Sequence, residues 1–180
     1  MWLCASNSTT NISLVIDVDL MSQLRVRDIM TTQVVTLSGS DTVKDATIKF
    51  AVDNVSGAPV VDDDYRLIGI ISDSDILTLI VKYDKRLHLK DPDLHMLATP
   101  MDENIDDEIL RKASKEISET KVSDLMSRTV LTTSPDSRIM DVLTSMINMD
   151  VNRVPVLEKG VLVGIVTRCD IIFSIYKRKI

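Results

Sequence analysis

Two stretches of this chain carry side chains suited to hold a small molecule: Gly69-Ile70-Ile71-Ser72 followed by Asp75, and Gly164-Ile165-Val166-Thr167 followed by Asp170. In each, an apolar run ends on a hydroxyl residue and a carboxylate follows three positions later. One chemistry is purely local: Ser72 or Thr167 caps a helix, and Asp75 or Asp170 reaches back to it. The other is ligand binding. The N–H groups and hydroxyl of a helix start receive a phosphate. A carboxylate offers its two oxygens to the hydroxyls of a ribose, each charge-assisted bond contributing roughly 1.5–3 kcal/mol. The two are compatible, because a capped helix start can still bind an anion.

Repetition is what raises the second reading above the first. Val26, Asp28 and Met30 recur at an offset of 96 as Val122, Asp124 and Met126, and Pro59-Val60 recurs as Pro155-Val156. From Leu67 and Leu162 through Asp75 and Asp170 the offset is 95. The lost residue falls at a polar tip between apolar runs, where a hairpin loop tolerates it.

Each repeat predicts β-α-β-β-α. First strands are expected at 34–37 and 130–133, with Asp41 or Asp136 opening the helix that follows. Helical spacing links Val43, Ala46, Ile48 and Phe50, and likewise Ile139, Val142, Leu143, Met146 and Ile147. Hairpins are expected from 58–61 with 67–71 and from 154–157 with 162–166, then closing helices at 75–81 and 170–176. Pro59 and Pro155 cannot donate to a ladder and belong at a strand start or edge. Between the repeats, Thr99 and Pro100 suit a capped helix start, and Ile105, Ile109, Ala113 and Ile117 form a narrow apolar stripe. The chain divides into a strand or tail at 1–23, a first repeat at 24–82, a helical linker at 83–120 and a second repeat at 121–180. A repeat of about 55 residues is marginal alone. Two stacked sheet against sheet about a pseudo-twofold axis would share a core and leave a ligand cleft between them, an α+β architecture.

Composition narrows the partners. A net charge of −6 disfavours a nucleic-acid backbone as ligand. No stretch approaches the length of a membrane span, and residues 1–19 lack the basic start of a secretion signal. Cys4 and Cys169 have no spaced companions, so neither a zinc set nor a disulfide framework is expected, and a cytoplasmic location follows. His88 and His95, amid scattered aspartates, read as surface rather than metal ligands.

The D-x-M openings, the Ala58-Pro59-Val60 and Val154-Pro155-Val156 strands and the G-h-h-S/T-x-x-D endings, twice in register, resemble the CBS motif, and the tandem resembles a CBS pair, or Bateman module. The resemblance spans about Leu24 to Tyr176. It implies a non-catalytic regulatory module, cytoplasmic and homodimeric, that binds AMP, ADP, ATP or S-adenosylmethionine as a regulatory ligand and acts on a regulated protein partner. A dimerising scaffold with empty clefts is the alternative. By the same resemblance Asp75 and Asp170 hold ribose, and Ser72 and Thr167 lie on the phosphate side. Asn152 and Arg153 belong to the segment that reaches phosphate, Arg168 stands beside it, and Thr36, Thr132, Pro59 and Pro155 line the base. The first repeat has Ser56-Gly57 where the second has Asn152-Arg153, and Asp73 where the second has Arg168. Phosphate binding is therefore expected to centre on Thr167 and Asp170, with a weaker site at Ser72 and Asp75.

Overall fold

The computed structural model describes residues 23–90 and 107–177, with side chains at 23–83 and 111–174. The N-terminal segment to residue 22, His95, and the Thr99-Pro100 helix start lie outside the described residues.

In the first repeat β1 (Leu37–Ser38) leads to α1 (Val43–Asp53), the hairpin of β2 (Gly57–Val61) and β3 (Leu67–Ser72), and α2 (Asp73–Lys90). The linker contributes α3 (Asp107–Glu119). The second repeat opens with a single turn, α4 (Val122–Leu125), and continues through α5 (Ile139–Asn148), β4 (Arg153–Glu158), β5 (Val161–Thr167) and α6 (Arg168–Lys177). The α+β class and the doubled repeat are as expected.

The first strands are shorter than expected, and proline explains why. β1 runs parallel to β2 only opposite Val60 and Val61. In the second repeat the corresponding segment makes one parallel bridge, Thr133 to Val156. There Thr133 donates to the Pro155 carbonyl at 3.1 Å and accepts from Leu157 N–H at 2.8 Å. Pro155 has no N–H to continue the ladder backwards. The hairpins keep their register, Pro59 opposite Ile70 and Pro155 opposite Ile165, and both shift one step later, at Val60/Val61 and Val156/Leu157. The shorter tip turns on Lys159 and Gly160, both at positive φ, as a two-residue hairpin loop requires.

Helix starts differ from the expectation too. α1 is capped by Thr42, whose hydroxyl accepts from Asp45 N–H while Asp45 accepts from Thr42 N–H. Asp41 instead closes the preceding turn through Ser38 N–H. Asp136 pairs with Arg27, and Arg138 precedes α5 as its N-cap residue without a side-chain cap.

No common core joins the two sheets; two cores form, and each is built in part from the other repeat. Leu24 and Val26 are buried with Ile139, Val142, Met146, Val154 and Ile171 of the second repeat. Val122 and Met126 are buried with Val43, Phe50, Val60 and Ile71 of the first. The exchange is symmetric in its hydrogen bonds: Thr31 bridges Ile165 and Ser127 bridges Ile70. Val26 N–H donates to Ser137 and Val122 N–H to Asp41. Each repeat, too small to bury its own sheet, is closed by the opening turn of its twin.

Candidate functional site

The two S/T-x-x-D turns fold alike. β3 ends at Ser72 and α2 starts at Asp73; β5 ends at Thr167 and α6 starts at Arg168. Both helices therefore begin two residues before the carboxylate. Asp75 Oδ2 accepts from Ser72 N–H and from Ser72 Oγ–H, each at 2.7 Å. Asp170 Oδ2 accepts from Thr167 N–H at 2.7 Å and from Thr167 Oγ1–H at 2.8 Å, and Thr167 Oγ1 accepts from Asp170 N–H at 3.2 Å. The cap is thus real, and it engages a single oxygen. Oδ1 of each aspartate has no hydrogen-bond partner among the described residues. Oδ1 is the carboxylate oxygen that the cap leaves unused.

The strand beside each turn supplies its rim. Asp73 N–H donates to the Ser56 carbonyl and Arg168 N–H to the Asn152 carbonyl, both at 3.1 Å. Gly57 lies opposite Ser72 and Arg153 opposite Thr167 in the hairpin registers. Six sequence-singled residues, Ser72, Asp75, Asn152, Arg153, Thr167 and Asp170, therefore sit on two equivalent rims. Pro59 and Pro155 are fully buried two residues further along the same strands. Thr36 is half-buried ahead of β1, and Thr132 is exposed. Thr132 lines a cavity of about 210 Å³ with Thr133, Arg138, Asp141 and Ser145, at the start of α5.

The two arginine side chains diverge. Arg168 turns away to the C-terminal end of α5. Its Nε donates to the Val151 carbonyl at 3.1 Å, and its Nη2 to the Met146 carbonyl at 3.2 Å and to Asp150 Oδ1 at 3.3 Å. A guanidinium there satisfies orphan carbonyls and the negative helix end. It caps a helix instead of facing a phosphate. Arg153 crosses to the first repeat and donates from Nη2 to Ser56 Oγ at 2.6 Å. Burial draws its pKa below the usual arginine value, while Asp73 and Asp75 act in the opposite direction. The cation expected beside Asp170 thus stands beside the first turn.

Gly57 is the rim residue that sequence reasoning used only as a gap in the comparison. A Cβ there would meet the Arg153 guanidinium and lie 2.6 Å from the Ile71 carbonyl oxygen. Its absence makes room for the crossing side chain, and the pairing of Gly57 with Arg153 at the same repeat position was the available signal. Cys169 is exposed at the start of α6. No group of three or more His, Cys, Asp or Glu side chains that could hold a metal occurs among the described residues.

Comparison with known proteins agrees with this architecture. The CBS domain family matches residues 26–82 and 122–177. An uncharacterized protein of Methanocaldococcus jannaschii is 36% identical over 149 residues, covering 82% of this chain and 88% of its own. Among solved structures, the CBS domain of a CBS domain-containing membrane protein from Sphaerobacter thermophilus superposes with a TM-score of 0.64 at 28% identity, over 86% of this chain and 90% of that one. CBSX2 in complex with AMP superposes with a TM-score of 0.63 at 25% identity, over 87% and 98%.

Proposed function

We infer a regulatory role from family membership: the chain belongs to the CBS domain family and carries the motif twice, as a CBS pair. We propose that this pair is a sensor that binds an adenine nucleotide or a related adenosyl ligand (AMP, ADP, ATP or S-adenosylmethionine) at the rims of its S/T-x-x-D turns, and that it has no catalytic activity of its own. The observation that carries this reading is the half-used carboxylate. Asp75 and Asp170 each hold their cap with Oδ2 alone and leave Oδ1 unpartnered among the described residues, on rims joined by a guanidinium. A cap needs one acceptor; the second is surplus to the fold and suited to ribose. That CBSX2 was solved in complex with AMP supports an adenosyl ligand.

Binding would bias the relation between the repeats, and hence a partner protein, by no more than the ligand's differential affinity for the two arrangements. No helix among the described residues is long and apolar enough to cross a membrane, and the reading places the sensor in the cytoplasm. The alternative, a dimerising scaffold with empty clefts, is favoured by the apolar helix face of the first repeat, where Ile48, Val52, Leu77 and Val81 are exposed.

A thermal-shift series with AMP, ADP, ATP and S-adenosylmethionine separates the two. The sensor predicts stabilisation by at least one ligand, lost or halved in Asp170→Ala or Asp75→Ala. No shift with any of them favours the scaffold.

A further inference from the structure

The crossing of Arg153 is an interaction with which an anionic ligand would compete. The side chain leaves β4, fills the space over Gly57 and donates to Ser56 Oγ at 2.6 Å. Asp73 and Asp75 are the carboxylates that act on it. Asp73 is itself fixed at the start of α2, accepting from Ser74 N–H at 2.7 Å. At the equivalent position of the second repeat stands Arg168, whose donors go to the end of α5. The first rim therefore holds two carboxylates and one guanidinium, already hydrogen-bonded across the repeats, and no second arginine supports it.

Building on the sensor reading, we propose that Ser56 holds Arg153 as a latch between the repeats, and that this latch, with the charge of Asp73 beside Ser56, sets the ligand charge the first rim accepts. A neutral adenosine can sit on Asp75 without touching the latch. A monophosphate competes with Ser56 for the guanidinium, and the new ion pair compensates any bond given up. The further phosphates of a triphosphate then face Asp73 with no cation left to receive them, and like charges at short range repel. Ligand charge is thus read as latch closed (adenosine) or latch open (AMP), with ATP disfavoured. Ser56 is a positioning residue in this scheme, acting through Arg153, whereas Asp73 acts on the ligand's phosphates by its charge.

Calorimetric titration of the full chain with adenosine, AMP and ATP tests this, in the wild type and in Asp73→Asn, Ser56→Ala and Arg153→Gln. Asn at 73 keeps the acceptor for Ser74 N–H, so folding is retained. Asp73→Asn is expected to raise ATP affinity roughly fivefold, from removal of one nearby unit charge, and to leave adenosine unchanged. Ser56→Ala is expected to raise AMP affinity relative to adenosine roughly three- to tenfold, since the competing bond is gone. Arg153→Gln should erase the preference for AMP over adenosine. If adenosine and AMP bind but their affinity ratio is the same in Ser56→Ala and Arg153→Gln as in the wild type, the latch is overturned while the sensor stands. An unchanged ATP-to-AMP ratio in Asp73→Asn overturns the charge limit. If neither adenosine nor AMP binds the wild type, the sensor reading itself fails and the latch with it.

Discussion

The thioether sulfur of Met30 lies 2.8 Å from where a Cβ on Gly164 would be, and Met126 stands against Gly69 in the same way from the other repeat. The D-x-M opening and the Gly-led strand, which read in the sequence as separate marks of one repeat, are two halves of a contact made between repeats. Gly164→Ala forces Met30 and the Thr31 carbonyl, 3.2 Å from the same point, to move. The expected loss is about 1–3 kcal/mol, the usual cost of overpacking a tight site. Met30→Ala in the Gly164→Ala background should then cost less than Met30→Ala alone. Denaturant unfolding of the four proteins gives the coupling, and strict additivity would refute the contact.

That exchange also marks where the sequence stopped being legible. The repeat, its hairpins and its helices followed from spacing, because strand and helix periods are local. The two S/T-x-x-D turns were legible as caps and as sites at once, because one motif serves both. What spacing could not convey is which repeat a side chain packs on. Val26 and Val122 were assigned to their own repeats and are buried in the opposite ones. The directions of Arg153 and Arg168 were illegible for the same reason. Long side chains sample directions that a residue number does not encode, so one reached across to Ser56 and the other turned back to a helix end.

Asp170 lets cap and ligand be separated. Asn at this position retains an oxygen that accepts from Thr167 N–H and Oγ1–H, so Asp170→Asn should change stability by less than about 1 kcal/mol. The charge offered to a ribose is lost, and adenylate affinity should fall at least tenfold. Asp170→Ala should lose both. Equal ligand affinity in Asp170→Asn and the wild type would mean that the carboxylate serves the helix alone.

Arg168 should behave oppositely. Its bonds to the Met146 and Val151 carbonyls close the end of α5, and its partner Asp150 is almost fully exposed and adds little. Arg168→Ala is expected to cost about 1–2 kcal/mol of stability without altering AMP affinity. Arg168→Lys should recover only part, since an ammonium cannot span both carbonyls. A loss of AMP affinity with stability intact would return Arg168 to the site.

Acid titration should register Asp45. Its hydrogen bonds from the Thr42 side chain and backbone lower its pKa from 3.8. A carboxyl with a depressed folded-state pKa contributes stability that is fully present above its unfolded value and is lost as pH falls through the folded one. The difference in stability between wild type and Asp45→Asn should therefore be constant near neutrality, shrink below about pH 4, and level off under the folded pKa. A difference that does not vary with pH would show that Thr42 binds the neutral carboxyl equally well.

The helix face of the first repeat predicts association. Single exposed apolar side chains are ordinary, but here Ile48 and Val52 of α1 and Leu77, Ile80 and Val81 of α2 are all exposed, Val52 at 77% and Leu77 at 60%. A groove of about 790 Å³ runs between α1, α2 and α3, lined by Ile48, Phe50, Ile76, Leu77 and Ile117. On α6 of the second repeat Ile172 and Phe173 are exposed as well. Leaving these contiguous faces in water is costly, and a second copy, whose faces match by symmetry, is the partner always at hand. Sedimentation equilibrium should give a dimer at micromolar concentration, and Leu77→Glu should weaken it at least tenfold by placing a charge in the contact. Because Leu77 lies on the exposed side of α2, the monomer should keep its fold and its adenosine site, measured by the same titration. A wild type that stays monomeric at high concentration would leave these helices to a different partner.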